Sequence, residues 1–153
     1  MSWLTSPKVV GVELSWLTEE GSLTERLKKE FNDVEVEVVY EGSYAEDKNL
    51  YTREVFLKSL NTPRIFARTL VKAKDLQYSW HALKNLGDQS LASILFSSSE
   101  IKKISVLYKE LFLNDYLFEY VNSLNPTYKK SLWVRKSLWL KQGAYLELLE
   151  IFL

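Results

Sequence analysis

The chain of 153 residues has no cysteine, a single histidine and only five glycines. Each shortage removes a class of chemistry. Without cysteine there is no disulfide, no thiolate metal site and no thiol nucleophile. The lone His81, beside Trp80 in a helical stretch, has no second ligand near it, so zinc hydrolysis and serine–histidine catalysis are disfavoured. Its bland reading is a partly exposed helix residue. The glycines are scattered, and neither GxGxxG nor a GxxxxGKS/T phosphate loop occurs. An excess of charge of either sign is missing too: 20 Lys and Arg cancel 20 Asp and Glu, leaving no global field to draw nucleic acid or anionic membrane. No segment approaches the roughly 18 apolar residues that would suggest insertion into a membrane. The start, MSWLTSPKVV, lacks the charged head and long apolar core of a signal peptide. These absences point to a cytoplasmic enzyme or binding domain with no metal, no nucleic-acid partner and no membrane insertion.

What is present suffices for one domain over residues 1–153. A composition of 46% hydrophobic and 26% charged residues is that of an ordinary globular chain large enough to bury a core. Ser22 followed by Glu25 forms a capping box, and Leu23, Leu27 and Phe31 give the helical stripe behind it. VEVEVVYE then alternates strictly, which predicts a half-buried antiparallel strand over Val34 to Glu41 with the glutamates on its wet face. Gly42 to Asn49 reads as a polar loop. YTREVFLKSLNTPRIFARTLV reads as a hairpin turning at Asn61-Thr62-Pro63. Asp75 caps a predicted helix over about Gln77 to Leu86, and SLASILF begins another. KISVLYKEL predicts a strand, FLNDYLFEYVNSL an amphipathic helix broken by Pro126, and SLWVRKSLWL and AYLELLEIFL a closing hairpin. The order predicts an α+β fold on an antiparallel sheet, without βαβ units.

Three charged residues resist a place on such a sheet. Arg53 lies among Tyr51, Val55 and Leu57, and Arg68 among Phe66 and Leu70. In the last strand Leu146, Leu148, Glu150 and Phe152 share a face, so Glu150 also meets apolar neighbours. Buried charge is retained when it is paired or bound to a ligand. Two readings therefore stand side by side: an internal Arg–Glu pair, or an apolar pocket with guanidinium forks for carboxylates and one carboxylate for a hydroxyl. Register decides part of the matter. A two-residue loop, pairing Arg53 with Leu70, puts Arg53 and Arg68 on one face; a three-residue loop separates them.

Six blocks in order resemble the chorismate lyase family. SLTERLKKEF with VEVEVVYEG is similar to its early helix and first strand. YTREVFL resembles a W-L-R-E-hydrophobic strand, and FARTLV an A/G-R-T-hydrophobic strand. ALKNLGDQSLASILF resembles L-G-x-x-P-L-G-x-x-L-F, LWVRKS resembles W-x-R-R-S, and LELLEIFL the terminal L-L-x-E-hydrophobic-L. Ser90 and Ala92 replace the family's proline and second glycine, Lys136 replaces an arginine, and the stretch from Leu107 to Lys130 is longer than usual.

The resemblance implies an antiparallel sheet flanked by helices, with helical flaps over a buried ligand pocket. It implies a cofactor-independent carbon–oxygen lyase that turns chorismate into 4-hydroxybenzoate and pyruvate for ubiquinone biosynthesis, acting as a monomer. Carried over by position, Arg53, Glu150 and Arg68 become the catalytic set. Arg53 would grip the ring carboxylate, Glu150 the ring hydroxyl and Arg68 the enolpyruvyl carboxylate, while the backbones of Leu23 and Leu91 help enclose the ring. A non-catalytic sensor of aromatic carboxylates on the same fold is the alternative.

Overall fold

The Ser22 hydroxyl accepts a hydrogen bond from the Glu25 amide at 3.1 Å, and helix α2 (Leu23–Phe31) starts there as the capping box predicts. Asn32 in the left-handed conformation ends it. The computed structural model describes residues 2–153. Before α2 comes a short helix α1 (Gly11–Leu17), and after it three strands: β1 (Glu35–Tyr44), β2 (Asp47–Ser59) and β3 (Thr62–Lys72). Two 3₁₀ helices (Ala73–Gln77 and His81–Asn85) and α3 (Ala92–Leu95) lead to β4 (Lys102–Phe112), α4 (Tyr116–Leu124), β5 (Ser131–Lys141) and β6 (Ala144–Phe152). All six strands form one antiparallel sheet in the order β1-β2-β3-β6-β5-β4. The α+β expectation holds.

Burial on both faces explains the composition of β2, where Thr52 through Leu57 are buried without interruption. One face, carrying Val55, Ile65, Ala67 and Leu146, packs against Leu23 and Leu27 of α2 and against the irregular helical stretch around Trp80, Leu91 and Leu95. The other face, carrying Phe56, Phe66, Val134 and Ile151, packs against Phe118 and Val121 of α4. The sheet is therefore the middle layer between two helical covers.

Three segments depart from the sequence reading. The supposed polar loop over 42–49 is mostly strand, because β1 runs to Tyr44 and β2 resumes at Asp47. Backbone pairing needs no apolar side chains, so polar residues extend a hairpin as well as valines do. The expected helix over 77–86 is two 3₁₀ turns around Trp80, whose fully buried indole donates to the Ala144 carbonyl at 3.2 Å. Third, the β2–β3 turn is two residues long but sits one place earlier, on Leu60 and Asn61, with φ of 53° and 59°. Pro63 lies in β3 opposite Lys58, and the register shifts once more where Arg64 is bulged out between Pro63 and Ile65. Arg53 consequently pairs with Thr69 and Arg68 with Glu54. The two arginines lie on opposite faces of the sheet, which corrects the expected shared face.

The Arg64 bulge exchanges the faces, while the place of the turn is held largely from outside the hairpin. A positive φ is unfavourable for leucine. Here the carboxylate of Asp33, in the connection after α2, accepts from the Leu60 amide at 2.8 Å. The Asp33 carbonyl accepts from the Ser59 hydroxyl at 2.8 Å, and the Arg64 guanidinium donates back to the Ser59 carbonyl at 3.1 and 3.3 Å. Those four bonds hold the turn at Leu60-Asn61.

Candidate active site

Between the sheet and its first helical cover is a cavity with about 60 Å³ open to the centre of a water-sized sphere. That is several times the roughly 10–15 Å³ one water takes on this measure, so it is a chamber and not a packing fault. Its floor is Arg53, Val55, Ala67, Leu148 and Glu150; Leu23 closes one side and Leu91 the other. Leu23 is the first residue of α2 and Leu91 directly precedes α3, so both covers present a helix start to the chamber.

Arg53 stands at the centre of this floor and is 2% exposed. Its Nη2 donates to the carbonyls of Gly87 and Gln89, at 3.0 and 2.8 Å. Nε is buried with no hydrogen-bond partner, and among the described residues no carboxylate lies in salt-bridge contact with the guanidinium. Burial pulls its pKa below the ordinary arginine value, opposed by the charge of Glu41 across the strand and by Tyr51. Glu41 itself is exposed and accepts the Tyr51 hydroxyl, so it does not neutralise Arg53. A buried cation lacking a counter-ion is costly unless an anion arrives.

Glu150 is paired, and its partner is Arg135 of β5. Both Nε and Nη2 of Arg135 reach the same oxygen, Oε1, at 2.9 and 2.8 Å. Among the described residues Oε2 of Glu150 accepts no hydrogen bond. Arg135 Nη1 donates to the carbonyls of Leu17 and Glu19, at 3.0 and 2.7 Å. Each arginine thus ties one cover to the sheet: Arg53 holds the 87–91 flap and Arg135 the α1–α2 connection. The internal Arg–Glu pair weighed in the sequence reading exists, but with Arg135 in place of Arg53.

Arg68 is elsewhere. On the opposite face its Nε donates to Glu54 Oε2 at 2.7 Å, and Tyr120 of α4 donates to Glu54 Oε1 at 2.5 Å. The Arg68 guanidinium lies 5.5 Å from the Tyr44 ring centre and 5.4 Å from that of Tyr120. Burial, then the bond to Glu54, pushes the Tyr120 hydroxyl up to about 12. This is a closed ion pair under α4, and the sheet separates it from the cavity. The fold therefore brings Arg53, Glu150, Leu23 and Leu91 together and leaves Arg68 out.

Arg135 and Lys103 also line the cavity, and the pattern reading had passed over both as site residues. For Arg135 a signal existed: in LWVRKSLWL it alternates with Trp133, Ser137 and Trp139, all buried on its face. Lys103 carried none, because it lies on the exposed start of an edge strand.

Three comparisons bear on this arrangement. A family model described as chorismate lyase matches residues 2–153. A curated relative from Nitrosomonas europaea, named a probable chorismate pyruvate-lyase, is 30% identical over 166 residues, covering 100% of this chain and 93% of its own. Another of that name, from Shewanella amazonensis, is 33% identical over 149 residues, covering 94% and 80%. Among solved structures, a gene product of Staphylococcus aureus superposes with a TM-score of 0.59 at 7% identity, over 88% of this chain and 89% of that one. PhnF from Mycobacterium smegmatis gives 0.58 at 12% identity, over 88% and 64%. Identities this low speak for the fold alone.

Proposed function

Because the chain belongs to the chorismate lyase family, we propose that it eliminates pyruvate from chorismate to give 4-hydroxybenzoate, the entry step of ubiquinone biosynthesis. The observation that carries this reading is Arg53, a buried guanidinium with an unpartnered Nε at the floor of an apolar chamber. A ring carboxylate accepting from that Nε supplies the missing counter-charge in a dry site, where a charge-assisted hydrogen bond is strong. Across the chamber, Oε2 of Glu150 is the acceptor for the ring hydroxyl, with Oε1 kept in place by Arg135. Leu23, Val55, Leu91 and Leu148 offer the apolar walls that a flat ring fills.

The reaction asks for little more. The ether C–O bond breaks, and its electron pair leaves with enolpyruvate. The hydroxyl-bearing ring carbon gives up its proton, and the ring becomes aromatic. Enolpyruvate takes up a proton and becomes pyruvate. Aromatisation makes the step downhill, so the protein's task is to orient the substrate and exclude water. Arg53 fixes one end of the ring and Glu150 the other. Because Arg53 also holds the 87–91 flap, a bound product sits behind a tied cover, and slow release with product inhibition is expected.

The test is direct. Purified protein is incubated with chorismate and 4-hydroxybenzoate is followed by chromatography; Glu150→Ala is expected to lose activity by about 100-fold or more while keeping a cooperative melt. Tight binding of 4-hydroxybenzoate with no product above the uncatalysed rate would instead make the protein a sensor of aromatic carboxylates.

A further inference from the structure

Chorismate carries two carboxylates, and Arg53 accounts for one. The cation expected to meet the second, Arg68, is bound to Glu54 on the far face of the sheet. Arg135 is committed to Glu150 and to two backbone carbonyls. Of the cations lining the cavity this leaves Lys103. It pairs with Trp139 across the β4–β5 ladder, and its ammonium lies 5.6 Å from the Trp139 ring centre. Among the described residues it has neither a hydrogen-bond acceptor nor a carboxylate partner. The register of β4 shifts between Lys103 and Ser105, and such a bulge re-aims the side chains beside it.

Its position is also distinctive. Lys103 and Trp139 border both the chamber and an open depression under Phe96 and Ser98. They stand where the inside of the site meets solvent. A ring seated between Arg53 and Glu150, as the lyase reading has it, would direct its projecting group toward this mouth.

We propose that Lys103 binds the enolpyruvyl carboxylate of chorismate, selecting the dianionic substrate over the monoanionic product. The inference rests on the lyase reading of the site. The surroundings suit the role: Arg135 repels the ammonium, Glu20 and Glu150 attract it, and an arriving carboxylate adds the neutralisation that neither glutamate completes by contact. Once the C–O bond has broken, the pyruvate fragment is already at the mouth, held by one solvent-exposed lysine. The aromatic product, by contrast, has no contact with Lys103. The fragment nearer the exit is therefore the first to leave.

The experiment compares Lys103→Gln and Lys103→Arg with the wild-type chain, each checked by its melting curve. For Lys103→Gln, kcat/KM with chorismate is expected to fall about tenfold, mainly through KM, as for one charge-assisted contact at a half-exposed site. Inhibition by 4-hydroxybenzoate, which lacks the second carboxylate, is expected to stay within about twofold, and Lys103→Arg to recover most of the loss. Unchanged kinetics with chorismate in Lys103→Gln would overturn the proposal. So would an equal weakening of chorismate and 4-hydroxybenzoate. Either result leaves the lyase reading intact, whereas absence of turnover in the wild-type chain removes that reading itself.

Discussion

Replacing Arg53 by methionine is expected to make the ligand-free protein more stable while destroying its ligand binding. The side chain is 2% exposed, and among the described residues its Nε has no partner and no carboxylate is in salt-bridge contact with it. Replacing even a buried ion pair by apolar side chains of similar volume is commonly neutral or stabilising by about 1–4 kcal/mol, and a buried cation with no counter-ion has less attraction to lose. Against this, the carbonyls of Gly87 and Gln89 lose their donor. At about 1 kcal/mol each, reduced because the 87–91 flap is at the surface and water can replace the donor, the loss offsets only part of the gain. The net expectation is a gain of about 1 kcal/mol, which in a chain of this size moves Tm up by about 2–4 °C. The assay is thermal melting of both proteins with and without 4-hydroxybenzoate. At a concentration of about 100 Kd, the ligand is expected to stabilise the wild-type chain by about 2.7 kcal/mol and to leave Arg53→Met unmoved. A ligand-free Arg53→Met that melts several degrees lower would refute the reasoning, because Arg53 would then be a structural tie that does not await an anion.

Three further outcomes are expected. Arg68→Met strands Glu54 under α4 with only Tyr120 as donor, and is expected to lower stability by about 3 kcal/mol in denaturant melts while leaving the affinity for 4-hydroxybenzoate within about twofold. Weakened binding at full stability would return Arg68 to the site. Asp33→Ala removes the acceptor for the Leu60 amide at the strained turn and is expected to cost about 1–2 kcal/mol; an unchanged Tm would show that the hairpin holds its register unaided. Finally, burial, then Arg135, lowers the Lys103 pKa from 10.5. A protonated Lys103 binds the carboxylate, so its contribution is complete at low pH and is lost as pH rises through the lowered pKa. The KM for chorismate is expected to climb on the alkaline side earlier than an ordinary lysine would dictate. Lys103→Arg moves that climb to higher pH, and an identical profile for the arginine variant would exclude Lys103 as its source.

Local grammar made much of this fold legible. The Ser22–Glu25 box, the valines of β1 and Gly143 between β5 and β6 are signals carried by neighbours in sequence, and an element formed at each. Even so, β1 runs on to Tyr44, and a bulge between Val38 and Tyr40 puts Glu41 on the face opposite Glu37. Lys141 belongs to β5 and not to the closing turn. The β2–β3 register is different. It turns on Asp33, which is 27 residues from the Leu60 amide it holds, and on one bulged residue at Arg64. Neither is written in LNTP. The misplacement of Arg68 followed directly, since a one-residue slip exchanges the faces of a whole strand. Glu54, adjacent to Arg53 in sequence, was the missing clue: alternation puts it on the face opposite Arg53, ready to take Arg68 as its partner. Glu150 was rightly marked as a carboxylate that needs company. Its companion Arg135 pairs with it only once β5 and β6 lie side by side, and the carbonyls that complete the site arrive from the α1–α2 connection.

The way the covers are fastened bears on how freely this protein varies. Arg53 and Arg135 grip the carbonyls of Gly87, Gln89, Leu17 and Glu19 and touch none of their side chains in doing so. A latch that closes on main-chain oxygens is indifferent to residue identity so long as the backbone follows the same path. The flap residues Ser90, Leu91 and Ala92 line the chamber beneath this latch. Side chains at Ser90 and Ala92 are therefore outside the latch, whereas Gly87 holds its carbonyl in place at a φ of 59° that favours glycine.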